Sequence, residues 1–301
     1  MLIVKYRNTF FALTAALAVA ALVVLGVFGL HIGTDFTGGA LIEVQYPQNR
    51  PSVEEVKESL TNAGLEDVTV RGAGEYSYIV RAAPLSQDAR AKVAEAVAIN
   101  GTQPVIERLT DVGPSIGSEL RTKAIIALGL VALCIMLYIA FVFRKVSKPV
   151  SSWVYGVITV ITLLHDLAIP LGAFAIFGHL WGAQVDTLFV TAILTVLGYS
   201  VHDTIVVFDR TRENLRLNEE HKRKEDFEHV AGRSIEQTFV RSVNTSMTTL
   251  VSLGALFFFG PVATQDFALT LIIGVIAGTY SSIALATPLL VAYERWSAKR
   301  S

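Results

Sequence analysis

Six stretches of this 301-residue chain are long, apolar and almost free of charge, and they decide the class of fold open to it: 9–30, 124–143, 151–177, 185–208, 242–259 and 267–291. A helix needs about 20 apolar residues to cross the hydrocarbon core of a bilayer. Lipid offers no partner for a backbone N–H or C=O, so each run is expected as a helix, which satisfies its own backbone. Composition agrees: 52% of residues are hydrophobic and 17% charged, against roughly a quarter charged in soluble domains. The first run is longer than the apolar core of a secretory signal, about 7–15 residues, and no small-x-small site precedes His31. It is expected as a retained helix. The expected fold class is an α-helical polytopic membrane protein with six transmembrane helices.

Orientation follows from Lys and Arg near the helix ends, which concentrate on the cytoplasmic side. With the N-terminus inside, the cytoplasm holds Lys5, Arg7, Arg144, Lys145, Lys148, eight basic residues from Arg210 to Arg241, Arg295, Lys299 and Arg300, or sixteen of the 25. The short outer loops 178–184 and 260–266 hold none. The other nine fall in the long polar segment between the first two runs, and long domains translocate largely regardless of charge. The expected organisation is an N-terminal tail and helix over 1–30, an extracytoplasmic domain over 31–121, and helices two to six over 122–301 with a charged helical connector in a cytoplasmic loop, 209–241. Both termini are expected in the cytoplasm of a multi-pass inner-membrane protein.

The outer segment has the pattern of a small α+β domain. Ile42, Val44 and Tyr46 alternate as in a half-buried strand. Ser52 and Glu55 form a capping-box signature, and Gly64 is placed to end that helix. Strand-like runs 67–72 and 76–83, joined at Gly72-Ala73-Gly74, precede a helix over 86–99 and a strand over 104–112. The order βαββαβ predicts a ferredoxin-like domain. Gly26, Gly29, Gly33 and the Gly38-Gly39 pair suit turns and close helix packing.

Ionisable side chains inside the membrane cost about 2.5–3.5 kcal/mol each and are functional candidates for that reason. On the fourth run Thr195, Tyr199, His202 and Asp203 share an arc of about 100°. On the fifth, Arg241, Asn244, Thr245, Thr248, Thr249 and Ser252 recur at helical spacing on one face. This predicts that Asp203 meets Arg241 where helices three to five join, away from lipid, as a proton carrier or as a pair that fixes packing. The third run carries His165 and Asp166, open to the same two readings. Asp186, at the outer end of the fourth, reads as an interface residue.

The net charge of −1 leaves no basic field for nucleic acid. A single cysteine, Cys134, excludes a disulfide framework and a Cys-based metal site. Neither GxxxxGK[ST] nor HExxH occurs, and no enzyme activity and no cofactor is expected.

Four stretches carry a resemblance over essentially the full length: GTDFTGG at 33–39, VGPSIGSEL at 112–120, GYSVHDTIVVFDRTREN at 198–214 and RSVNTSMTTL at 241–250. In order and spacing they resemble the SecF side of the SecD/SecF protein-export family, within the RND superfamily. The resemblance implies that Asp203 and Arg241 act together in proton conduction; Tyr199, Thr195, His202, Asn244, Thr245, Thr248, His165 and Asp166, from their placement in the apolar runs, are expected as a supporting polar network. It implies SecD as partner, supplying six further helices, and the SecYEG translocon driven by SecA, with a translocating polypeptide and membrane lipid as the other contacts. His202 stands where that family usually has Asn, which alters the hydrogen bonding of the acid beside it. The rival function is an RND-type half-transporter exporting a small molecule or lipid.

Overall fold

The computed structural model describes residues 2–144 and 149–300. Lys145 and Lys148, two of the charges in the orientation argument, lie outside the described residues. A short helix, α1 (Leu2–Lys5), leads into α2 (Arg7–Phe28), and the single turn α3 (Thr34–Thr37) precedes β1 (Gly39–Gln45). Next come α4 (Val53–Asn62), β2 (Thr69–Ala73), β3 (Ser77–Ala82), α5 (Gln87–Val97) and β4 (Val105–Val112). The rest is helical: α6 (Pro114–Val142), α7 (Ser152–Trp181), α8 (Thr187–Glu220), α9 (Phe227–Phe259), α10 (Gln265–Ser281) and α11 (Thr287–Ala298). Among the described residues six helices are long and apolar enough to span a membrane: α2, α6, α7, α8, α9 and the continuous stretch Val262–Ala298, in which a π turn at Ser282–Ala286 joins α10 to α11.

The four strands form an antiparallel sheet in the order β2-β3-β1-β4, the ferredoxin-like arrangement that βαββαβ produces. Ala40, Ile42, Val44 and Val80 on one face bury against Val56 and Leu60 of α4 and Val93 and Val97 of α5. Ser52 accepts from Glu55 N–H at 3.2 Å while Glu55 accepts from Ser52 N–H at 2.7 Å, closing the expected capping box. The β2–β3 turn falls one step later than the glycines suggest, because Ala73 pairs with Ser77. Gly74 alone supplies the positive φ, +67°.

The other sheet face, which carries Glu43, Arg71, Ile79 and Arg81, rests on the near ends of the membrane helices. Glu43 is buried there against the backbone of Ala263. Two of the sequence stretches quoted above meet beneath the domain: a methyl group added at Gly38 would lie 2.8 Å from Pro114 Cα, and one at Gly117 would lie 2.9 Å from Gly38 N. Glycine is what lets these backbones touch. The run starting at 124 is thus the later part of a helix that begins at Pro114, within the segment expected as outer domain, since proline is suited to a first helical turn.

The charged segment 209–241 is no open loop. It continues α8 to Glu220 and starts α9 at Phe227, leaving 221–226 as the connection. Pairs such as Arg210–Glu213 and Arg212–Asp209, each 2.7 Å, lie along one turn of helix. At the same end Arg7, near the N-terminus, pairs with Glu228 at 3.1 Å, and Arg295, near the C-terminus, pairs with the same carboxylate.

Candidate functional site

Asp203 sits in mid-helix on α8 and is 3% exposed. Its helix turns it toward α9, where it lies beside the hydroxyls of Ser242 and Ser246. Among the described residues its Oδ2 atom has no hydrogen-bond partner. Arg241 is near enough to act on its charge, yet the two make no ion pair among the described residues. The reason is helical phase. The buried face of α9 carries Ser234, Thr238, Ser242 and Ser246 at intervals of four, whereas Arg241, Asn244 and Thr248 are exposed. The expected stripe is therefore one face, as spaced, but it points out of this chain instead of toward Asp203.

A hydroxyl network surrounds the acid. Tyr199 donates to Ser246 Oγ at 3.3 Å, and Ser246 Oγ lies 2.6 Å from Thr279 Oγ1 on α10. These bonds join α8, α9 and α10. Close packing makes them possible: a methyl group at Gly274 would overlap Val196, and one at Gly278 would lie 2.9 Å from Ser200 Cβ.

His165 and Asp166 form a second buried centre, where α7 meets α8 and α10. Asp166 is 0% exposed. Its Oδ1 lies 3.0 Å from His165 Nδ1, and its Oδ2 accepts from Ser281 at 2.8 Å and from Ser200. Ser200, Ser242, Ser246, Thr279 and Ser281 were not singled out from the sequence. Two spacings were the signals available: the i, i+3, i+4 set Ser200, Asp203 and Thr204, and Ser234, Thr238, Ser242 and Ser246 at intervals of four, all buried.

Two exposed polar stripes remain. On α8, Thr187, Thr191, Thr195, Gly198 and His202 are exposed, and Tyr199 is half-buried beside them. On α9, Arg241, Asn244, Thr248 and Ser252 are exposed, with Thr245 half-buried. Most of the hydroxyls donate to their own helix, as Thr195 does to Thr191 O at 2.8 Å and Thr245 to Arg241 O at 2.9 Å. This lowers the cost of membrane burial without removing it. The amide of Asn244 and the imidazole of His202 have no such local partner in reach of their helix and suit a protein or water neighbour better than lipid.

The sheet domain is tied to the start of α8. Asp186 caps that helix through Phe189 N–H at 2.7 Å, and Asp35 of α3 accepts from Thr187 N–H at 3.0 Å. Arg71 of β2 pairs with Asp266 of α10 at 3.2 Å. Arg81 of β3 lies among Asp186, Asp266 and Asp35, and burial pushes its guanidinium down to about 10, so it keeps its charge at neutral pH. Burial raises Asp186 above the usual carboxylate range, with Asp35 and Asp266 adding to the rise. Burial likewise raises Glu43, and Glu107 adds to it. Among the described residues no group of three or more His, Cys, Asp or Glu is placed to hold a metal ion.

The sequence model of the family described as protein export membrane protein SecD/SecF, C-terminal, matches residues 92–296. The protein translocase subunit SecF of Thermobaculum terrenum is 40% identical over 97% of this chain and 93% of its own length. That of Pseudomonas aeruginosa is 36% identical over 95% of this chain and 89% of its own. The crystal structure of SecDF from Thermus thermophilus, a translocon-associated membrane protein, aligns with a TM-score of 0.83 and 32% identity over 97% of this chain. This chain spans 38% of the length of that structure. On sequence and fold alike, the chain belongs to the SecD/SecF family of protein-export membrane proteins, on its SecF side.

Proposed function

We propose that this chain is the SecF-like subunit of a Sec export accessory complex that uses the proton-motive force, together with SecD, to promote late steps of polypeptide translocation through SecYEG. The observation that carries the reading is a carboxylate with 3% exposure, Asp203, set just behind a polar helix face that its own chain leaves open. A partner that covers Thr195, His202, Arg241 and Asn244 would enclose Arg241 beside the acid and complete a low-dielectric site. In that setting the charge of each group depends strongly on the other. The sheet domain is proposed to lie outside the cytoplasm, over residues 31–121, with both termini inside. SecA is proposed to act on the same channel.

In this mechanism protonation removes the charge of Asp203 and weakens its attraction to Arg241. Helices α8 and α9 then repack, and the caps that Asp35 and Asp186 place on α8 carry the motion to the sheet domain. That domain engages the emerging polypeptide. The driving force is sufficient in scale, since one charge crossing 100 mV releases about 2.3 kcal/mol.

The test uses the assembled complex with its SecD-type partner. Asp203→Asn keeps size and hydrogen bonding but removes the titratable proton. Assembly is expected to survive and gradient-dependent export to be lost, with Arg241→Met giving the same loss. A normal gradient response from a well-assembled Asp203→Asn complex would remove Asp203 as the carrier. Reporter fusions at residue 100 are expected to read as outside, and fusions at 222 and the C-terminus as inside.

A further inference from the structure

The mechanism above makes no use of Asp166, although this acid is enclosed more completely than Asp203. Every group that bonds it carries an exchangeable proton: His165 Nδ1 at 3.0 Å on one oxygen, Ser200 and Ser281 on the other. Among the described residues, the groups shown facing the pair from neighbouring helices are uncharged. They are Ser200 of α8, Ser281 and Tyr280 of α10, the latter with its ring 6.3 Å from that of His165, and Thr14 of α2, 3.1 Å from the Tyr280 hydroxyl. The π turn and α11 contribute Leu285 and Leu289, which with His165 line an apolar groove of about 590 Å³ between α2, α7 and α11.

A lone carboxylate in such surroundings is strongly disfavoured. Asp166 with a neutral imidazole carries one negative charge. One added proton, on Oδ1 or on Nδ1, makes the pair neutral overall. A proton shared between His165 and Asp166 makes the pair neutral, and without it one charge stands uncompensated among three helices. That charge acts on Ser200 and Ser281, through which α8 and α10 hydrogen-bond Asp166 of α7. Ser200 stands one helical turn before Asp203, and Ser281 two residues after Thr279, which meets Ser246 beside Asp203. The two acids thus share the α8–α10 contact. Ser281 also adjoins the π turn at Ser282–Ala286, a local irregularity of the kind often found at functional sites.

We propose that His165 and Asp166 form a second proton-binding site, in series with Asp203 along the α8–α10 contact. The proposal deepens the proton-coupled reading and rests on it for its role in export, though not for its chemistry. Within the site the proton moves between Asp166 Oδ1 and His165 Nδ1, 3.0 Å apart, an O–H bond breaking as an N–H bond forms, with no other reactant.

Infrared difference spectra of the full complex in lipid nanodiscs, taken through a pH titration without translocating polypeptide, read protonated carboxyls directly. In an Asp203→Asn background a buried carboxyl band is expected that titrates, shifts when His165→Gln is added, and vanishes when Asp166→Asn is added, while the bands of Glu43 and Asp186 stay unchanged. A spectrum unchanged by Asp166→Asn overturns the proposal. Should that variant fail to assemble, Asp166→Glu keeps the acid and must move the band, and an unmoved band overturns the proposal equally. A titrating Asp166 in a complex whose export ignores the gradient supports the second site and removes the proton-driven reading instead.

Discussion

Ser281 on α10 donates a 2.8 Å hydrogen bond to Oδ2 of Asp166 on α7, 115 positions earlier in the chain, and the acceptor is completely enclosed. The bond pins two membrane helices at a buried point. Ser281→Ala leaves Ser200 and His165 to satisfy the carboxylate. The expected cost is about 0.6–1.7 kcal/mol, the range for hydrogen bonds between membrane helices. Reversible unfolding in mixed micelles measures it, and a loss well outside that range would mean that the three donors act as one cooperative unit.

Gly198 has no heavy atom within 4 Å of where a Cβ would stand, and it lies on the exposed polar face of α8 with Thr191, Thr195 and His202. Small residues on membrane helices let a neighbouring backbone approach closely. Gly198→Leu is therefore expected to leave the thermal stability of this chain alone within about 0.5 kcal/mol, and to lower its co-purification with a SecD-type partner. Undiminished pairing would show that the partner covers some other face.

Gly38 contrasts with Gly129. At Gly38 φ is +83° and a methyl group would press on Pro114, whereas Gly129 on α6 faces open space. Gly38→Ala is expected to destabilise by about 1–3 kcal/mol, from a strained backbone and an overfilled contact. Gly129→Ala is expected to be neutral or to stabilise by up to about 1 kcal/mol through helix propensity. Thermal unfolding of the two variants side by side tests the assignment, and equal effects would contradict it.

Docking of the sheet domain on the membrane helices should depend on pH. Burial in the docked state raises Glu43 and Asp186 above their ordinary values of 4.5 and 3.8. An acid raised in this way binds its proton more tightly when docked. Docking is thus strongest below those ordinary values and weakens as pH rises through the raised ones. Spin labels at positions 100 and 262 would follow the separation, which is expected to widen with rising pH. Glu43→Gln should flatten part of that response, and a separation that widens on acidification would reverse the sign and refute the assignment.

Much of this architecture was legible in one dimension because it answers to local rules. Six long apolar runs have to be helices, since each must satisfy its own backbone in lipid. The alternation at Ile42, Val44 and Tyr46 and the Ser52–Glu55 box specify a strand and a helix start within a few residues of themselves. The spacing of Arg241, Asn244 and Thr248 likewise assigned them correctly to one face. Which way that face points was not local information. Only the packing of α8 against α9 and α10 turned Ser242 and Ser246 toward Asp203 and left Arg241 outside, because two stripes on one helix can satisfy the same periodicity and differ only in phase. The Asp166 centre depends even more on tertiary structure. Ser200 and Ser281 are unremarkable hydroxyls in apolar runs, and they become ligands of a buried acid only when glycines at 274 and 278 bring α10 within a methyl group's width of α8.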